Sequence, residues 1–169
     1  MPPVSHVNPQ PSLDPKLIGA RATEKWVKEF KYFRSTATGD LARFLDFVAY
    51  EYVIDNILDL IKAATSSQSV DVEAVVEHCH PLGRLDAGLM KSILAYENLG
   101  DDFHALYRTI LVDTPVGRYF TLFLAEVADD ERATADAGAV RQTFSELPMT
   151  MIENSVKKFY LEDFAAFVA

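Results

Sequence analysis

Disulfides, phosphate-binding loops and membrane-length apolar runs are all missing from this 169-residue chain. Its one cysteine, Cys79, cannot form an internal disulfide, which fits a reducing compartment. The seven glycines are scattered. Neither G-x-G-x-x-G nor G-x-x-x-x-G-K followed by Ser or Thr occurs, so the usual glycine-rich cradles for nucleotides are excluded. Basic residues are in deficit, with 16 Lys+Arg against 25 Asp+Glu, a formal net charge of -9 and a pI near 4.8. That balance opposes general attraction to nucleic-acid backbones or anionic lipid and favours basic partners. The longest apolar stretch is interrupted by Asp46, Glu51, Asp55 and Asp59 before it reaches the roughly 20 residues a bilayer requires. The start, MPPVSHVNPQP, lacks the basic region and apolar run of a secretory signal.

What is present is a core. Hydrophobic residues make up 49% of the chain and aromatics 11%, which excludes general disorder, and the length suits one domain. Phe44 to Ile61, FLDFVAYEYVIDNILDLI, is apolar around more of a helical circumference than any other stretch. Leu45, Ala49, Tyr52, Val53, Ile57, Leu60 and Ile61 form a wide face, and Glu51, Asp55 and Asp59 recur every fourth residue as a narrow polar stripe. Such a helix needs neighbours on several sides, so the rest of the chain must supply amphipathic helices to cover it.

Five of the eight prolines fall within the first fifteen residues, and residues 1–14 are expected to be an extended or disordered tail ahead of a helical domain over 15–169. Asp14-Pro15 reads as an N-cap followed by proline in the first turn of a helix that runs to about Arg34. Ser35 to Gly39 is a polar break, and Asp40 starts the central helix. After the TSSQS loop, Ser69 is the expected cap of a short helix that must stop at His80, before Pro81. Asp86 to Tyr96 reads as a helix weakened by Gly88, and Asp101 as the cap of another carrying Phe103, Leu106, Tyr107, Ile110 and Leu111 on its inner face. Asp113-Thr114-Pro115 signals a restart, with Val116, Tyr119, Phe120, Phe123 and Leu124 facing inward. Ala139 to Leu147 is a further short helix, and the last, about Thr150 to Ala169, places Ile152, Val156, Phe159, Tyr160, Phe164 and Phe167 on one face. Apolar alternations are too short for strands, so the expected fold is all-α with about seven or eight helices. LARFLDFVA at Leu41 to Ala49 and LEDFAAFVA at Leu161 to Ala169 share Leu, two Phe, Val and Ala in register, an internal echo.

Reactive chemistry has few candidates. His78-Cys79-His80 is the only cluster with metal-ligand chemistry, but adjacent side chains do not converge on one tetrahedral ion, and two further ligands would be required. A helix C-terminus, with His78 and His80 near its free carbonyls, is the plainer reading. Cys79 as a nucleophile needs a base, and none is marked; a buried small hydrophobe is the alternative. Asp46 and Asp55 are nine residues apart and point to opposite sides of their helix, so they cannot share one substrate atom. Asp46, inside the apolar face, is expected to pair with an arginine such as Arg34 or Arg118 or to bond a helix end, and Asp55 and Asn56 to cap or pair with a neighbour. Lys25, Lys28 and Lys31 form a basic edge that reads as a solvated face.

Taken with their order and spacing, FLDFVAYEYVIDN at Phe44 to Asn56, CHPLG at Cys79 to Gly83 and LYRTILVDTPVGRYF at Leu106 to Phe120 resemble the subunit d family of vacuolar-type proton ATPases, which has a related subunit in archaeal-type ATPases. Weaker similarity runs through EFKYFR at Glu29 to Arg34 and IENSVKKFYLEDF at Ile152 to Phe164. The resemblance implies a funnel-like helical subunit of three similarly folded parts, of which this chain matches the middle. It implies a non-catalytic role without cofactor or metal, peripheral to the cytoplasmic face of an endomembrane, with the proteolipid rotor ring and the central stalk as partners. Asp46, Asp55, Asn56, His80, Pro81, Asp113 and Pro115 are the matching positions expected to shape the fold or its interfaces. Against the family's usual length the chain is less than half, so it is expected to be a fragment or a short form, with apolar faces bare that the missing parts would cover. The readings from other classes are a free-standing adaptor that binds a partner helix and a small metal or thiol enzyme at His78-Cys79-His80.

Overall fold

The computed structural model describes residues 14–64, 71–94, 110, 114–128 and 147–169. Among them every regular element is a helix, so the all-α expectation holds, and there are six: α1 (Pro15–Thr36), α2 (Gly39–Ala64), α3 (Val72–His78), α4 (Ala87–Leu94), α5 (Gly117–Ala128) and α6 (Met149–Val168). Ile110 is helical as well. The proline-rich tail, the Ser69 cap, the helix after Asp101 apart from Ile110, Asp113, and all but Leu147 of the short helix expected over Ala139 to Leu147 lie outside the described residues.

The chain divides into two compact units, Met1–Thr36 and Ala37–Ala169. In the first, α1 starts as the sequence suggests. Asp14 accepts a hydrogen bond from the Lys16 amide at 3.0 Å, Pro15 sits where no intrahelical donor is needed, and Trp26 and Phe30 pack ring to ring on successive turns.

In the second unit α2 is the hub, and α3, α4 and α6 all pack against it, while α5 packs on α6. Gly39 opens α2 at a φ of 58°, a left-handed conformation that costs glycine nothing and every other residue something. Asp40 follows in the first turn, where a carboxylate favours the positive end of the helix dipole. Leu45, Phe47, Val53, Ile54, Ile57, Leu58, Leu60 and Ile61 are buried, whereas Glu51 and Asp59 of the polar stripe stay exposed. One core joins all of these buried residues except Leu45 to Met90 and Ile93 of α4, Tyr119, Phe120, Phe123 and Leu124 of α5, and Ile152, Val156 and Tyr160 of α6.

The caps show which polar residues decide the ends. Asp71 begins α3 and accepts from the Ala74 amide at 3.1 Å, so the cap stands two residues after Ser69. Asp86 does the same for α4, accepting from Gly88 and Leu89. At the Thr114-Pro115 corner the hydroxyl of Thr114 turns backward and donates to the carbonyl of Ile110. Thr114 therefore closes the segment before the corner, and Pro115-Val116 makes a turn before α5 starts at Gly117.

Candidate functional site

Two of the strings that carry the family resemblance, around Asn56 and around Cys79 to Gly83, come together as one interhelical joint. α3 ends at His78 and the chain turns through His80-Pro81-Leu82-Gly83, closed by the Gly83 amide donating to the His80 carbonyl at 3.1 Å. Asn56, 2% exposed on α2, holds this turn with both ends of its side-chain amide. Its Nδ2 donates to the His80 carbonyl at 2.9 Å and its Oδ1 accepts from the His80 amide at 2.8 Å. A buried amide that finds both partners is stabilising, whereas one that finds neither would be costly.

Gly83 brings the turn flush against α2. A Cβ at that position would overlap the backbone carbonyl of Tyr52 and the amide nitrogen of Val53, which belong to a helix and cannot step aside. The His80 ring stacks on Tyr52 with centroids 4.2 Å apart, and its Nδ1 accepts from the Leu82 amide at 3.3 Å. That hydrogen bond requires the tautomer with Nδ1 unprotonated. Burial lowers the His80 pKa, with Asp55 pulling the other way. Arg84 supplies the C-terminal cap expected of the histidines, donating to the carbonyls of Glu77 and Cys79.

Asp55, one residue before Asn56, faces α6 instead. Lys157 bridges it at 2.7 Å to Glu153 at 2.9 Å. Burial works against the Lys157 charge, yet the bonds to both carboxylates hold its pKa above the ordinary lysine value. Farther along α6, Tyr160 donates to the carbonyl of Phe47 at 3.0 Å, and Phe47 packs on Phe164 and Phe167 with centroids 5.2 Å away in each case. The two echoed stretches therefore meet: Phe44 touches Phe164 and Phe47 touches Phe167, residue against its counterpart. On the α5 side, Arg118 pairs with Asp163, and the buried Tyr119 hydroxyl accepts from Arg118 at 2.7 Å and donates to Asp163 at 2.8 Å. Burial and the Asp163 bond push the Tyr119 phenol up, against the pull of Arg118.

These placements sort the expected site residues. Asn56, His80 and Pro81 share the joint, and Asp55 ties the same turn of α2 to α6. Pro115 stands apart at the exposed corner before α5, Asp46 is half-buried on α2, and Asp113 lies outside the described residues. The Arg118 guanidinium is engaged by Asp163 and Tyr119. Gly83, Arg84, Lys157 and Tyr160 were not singled out by sequence as site residues. Glycine inside CHPLG was the available signal for the first, and an i, i+4 spacing of Glu153 and Lys157 for the third.

Cys79 is 3% exposed, and burial pushes its thiol up despite the nearby Arg84, the opposite of what a thiolate nucleophile needs. Among the described residues no three His, Cys, Asp or Glu side chains are grouped to hold a metal ion. Among them, too, no helix is long and apolar enough to cross a membrane.

An all-α assembly in which the contacts Asn56 to His80, Asp55 to Lys157 and Tyr160 to Phe47 tie neighbouring segments to α2 is the class of protein this architecture defines. The chain belongs to the ATP synthase (C/AC39) subunit family, whose pattern it matches over residues 5–169. It is 32% identical over 160 residues to V-type proton ATPase subunit d of Neurospora crassa, an alignment covering 95% of this chain and 37% of that one. Against V-type proton ATPase subunit d of Saccharomyces cerevisiae it is 33% identical, covering 93% of this chain and 39% of the relative. The corresponding protein of Dictyostelium discoideum is 33% identical, with 87% and 35% covered. The chain thus spans well under half the length of the curated relatives it matches.

Proposed function

We propose that this chain acts as a non-catalytic subunit, or the middle portion of one, of a vacuolar-type proton ATPase, and that it transmits rotation between the central stalk and the proteolipid ring. Residues 15–169 would supply the helical body. The observation that carries the reading is family membership over nearly the whole chain together with likeness to three subunits d. The joint adds a physical reason. A part that passes torque must deform little, and close-packed helices cross-tied by Asn56 to His80, Asp55 to Lys157 and Tyr160 to Phe47 meet that need. In this role the protein sits on the cytoplasmic face of an endomembrane through protein contacts and needs no cofactor, and Asp46, Asp113 and Pro115 serve the fold or its interfaces.

The test is recovery of the pump. A tagged chain expressed in cells is purified from detergent-solubilised membranes and probed for proteolipid and stalk subunits. Recovery of both, reduced by Asn56→Ala, is the expected outcome; recovery of neither removes the assignment.

A further inference from the structure

α2 and α6 pack against each other in antiparallel directions. On α2, Leu41, Phe44, Val48, Glu51 and Asp55 follow one another at three- and four-residue steps and so share a flank. On α6, Val168, Phe164, Leu161, Lys157 and Glu153 do the same in the opposite direction. Contacts at both ends show that the two rows border each other: Phe44 meets Phe164 at 5.9 Å between centroids, and Asp55 meets Lys157 at 2.7 Å. The row from Leu41 to Asp55 extends about 21 Å, or four helical turns.

The strip has two chemically different halves. One is apolar and open to solvent, with Leu41 47%, Phe44 40%, Leu161 56% and Val168 60% exposed. The other holds, among the described residues of the two rows, three carboxylates, Glu51, Asp55 and Glu153, and one ammonium, Lys157, and all four side chains reach solvent. Scattered exposed apolar residues need no explanation, but two from each helix on adjoining rows, with an excess of negative charge beyond them, are the pattern of a helix-receiving groove. The electrostatics select the guest, since an acidic helix would meet like charge at the carboxylate end.

We infer that the seam between α2 and α6 is a docking groove for one amphipathic helix of a partner protein, apolar at the end that lies on Leu41, Phe44, Leu161 and Val168 and basic at the end that lies on Glu51, Asp55 and Glu153. The inference does not depend on the pump assignment, because its test uses the full chain and a synthetic peptide alone. The probe is a helical peptide of roughly 18 residues, about 27 Å long, with leucines at i, i+3, i+4 and i+7 in one half and three lysines on the same face of the other. Its twin carries glutamates in place of the lysines.

The lysine peptide is expected to bind, and the glutamate twin to bind at least about tenfold more weakly. Leu161→Asp, at an exposed position where far-UV circular dichroism should stay unchanged, lowers affinity for the lysine peptide by a similar factor. Glu51→Lys narrows the preference for lysine over glutamate. Absence of lysine-peptide binding, equal binding of the two peptides, or full affinity in a folded Leu161→Asp protein would overturn the inference. So would sedimentation showing a dimer that Leu161→Asp disperses, since a second copy would then be the occupant.

Discussion

Asn56 recognises the backbone of His80 as one strand recognises another, donating to its carbonyl at 2.9 Å and accepting from its amide at 2.8 Å. The pairing joins positions 24 residues apart, so it fixes how the α3 segment returns to α2. Asn56→Ala removes both bonds at once, leaving the His80 carbonyl with the Gly83 amide alone and taking the acceptor away from the His80 amide, a loss of about 1–3 kcal/mol. Asn56→Asp keeps the acceptor but loses the donor and sets a carboxylate against the His80 carbonyl, and it is expected to be at least as damaging. Urea unfolding of the three proteins side by side checks both statements, and a wild-type midpoint in the alanine variant would refute the pairing.

Gly83→Ala tests the other half of the joint. The added methyl would overlap the Tyr52 carbonyl, and because the obstacle is helix backbone, relief requires the whole turn to lift away from α2. A destabilisation above about 2 kcal/mol is expected, in the range of overpacked cores. Gly19→Ala is the control: nothing lies within 4 Å of its added carbon and it sits inside α1, so that variant should gain up to about 1 kcal/mol. Thermal unfolding of both separates a steric requirement from general sensitivity to substitution.

How far the sequence could be read depended on the kind of signal each feature leaves. α2, the Asp14-Pro15 start, the inward row of α5 and the face of α6 follow from helical periodicity and cap chemistry, both local, and they appear where expected. Asn56 was expected to cap or pair with a neighbour, but that His80 is its partner was not legible, because a side chain that bonds a backbone 24 residues away leaves no periodic trace. Asp113-Thr114-Pro115 signalled a helix restart, but that the Thr114 hydroxyl bonds the turn behind is a choice of rotamer that composition does not encode. Lys157 escaped notice because its i, i+4 partner Glu153 explains its spacing completely, while its second partner, Asp55, comes from another helix.

Lys157 is accordingly expected to matter more than a surface lysine. Lys157→Met keeps the aliphatic stem and removes the bridge, leaving Asp55 and Glu153 facing each other without a counter-charge. The expected cost is about 1 kcal/mol at low salt, at the upper end for partly exposed pairs. It should shrink as salt is raised, because the charges are open to solvent. A cost independent of salt in denaturant titrations would mean that lost packing, not charge, carries the effect.

Tyr119→Phe isolates the bond network between α5 and α6. The ring is fully buried and phenylalanine fills the same space, so only the hydroxyl between Arg118 and Asp163 is lost. Because Arg118 and Asp163 still pair directly, the expected loss is modest, about 1 kcal/mol. Asp163→Asn, which removes the charge that Arg118 faces, should cost more; the reverse order would place the weight of this contact on the phenol.

Acid should loosen the joint through His80. Its pKa is lowered by burial, with Asp55 opposing, so the folded protein holds the ring neutral at pH values where the unfolded chain begins to protonate it. When the unfolded state binds more protons, stability rises with pH. The contribution is therefore complete above the ordinary histidine value of about 6.5 and is lost progressively as pH falls from there toward the lowered folded value. A proton on Nδ1 would also turn the acceptor of the Leu82 amide into a second donor facing it. His80→Gln keeps the backbone groups that Asn56 holds and removes the titration. Wild type is expected to lose stability as pH falls below about 6.5, before the usual carboxylates begin to protonate. The glutamine variant should be nearly flat in that window, and parallel pH profiles for the two proteins would show that His80 does not titrate with folding.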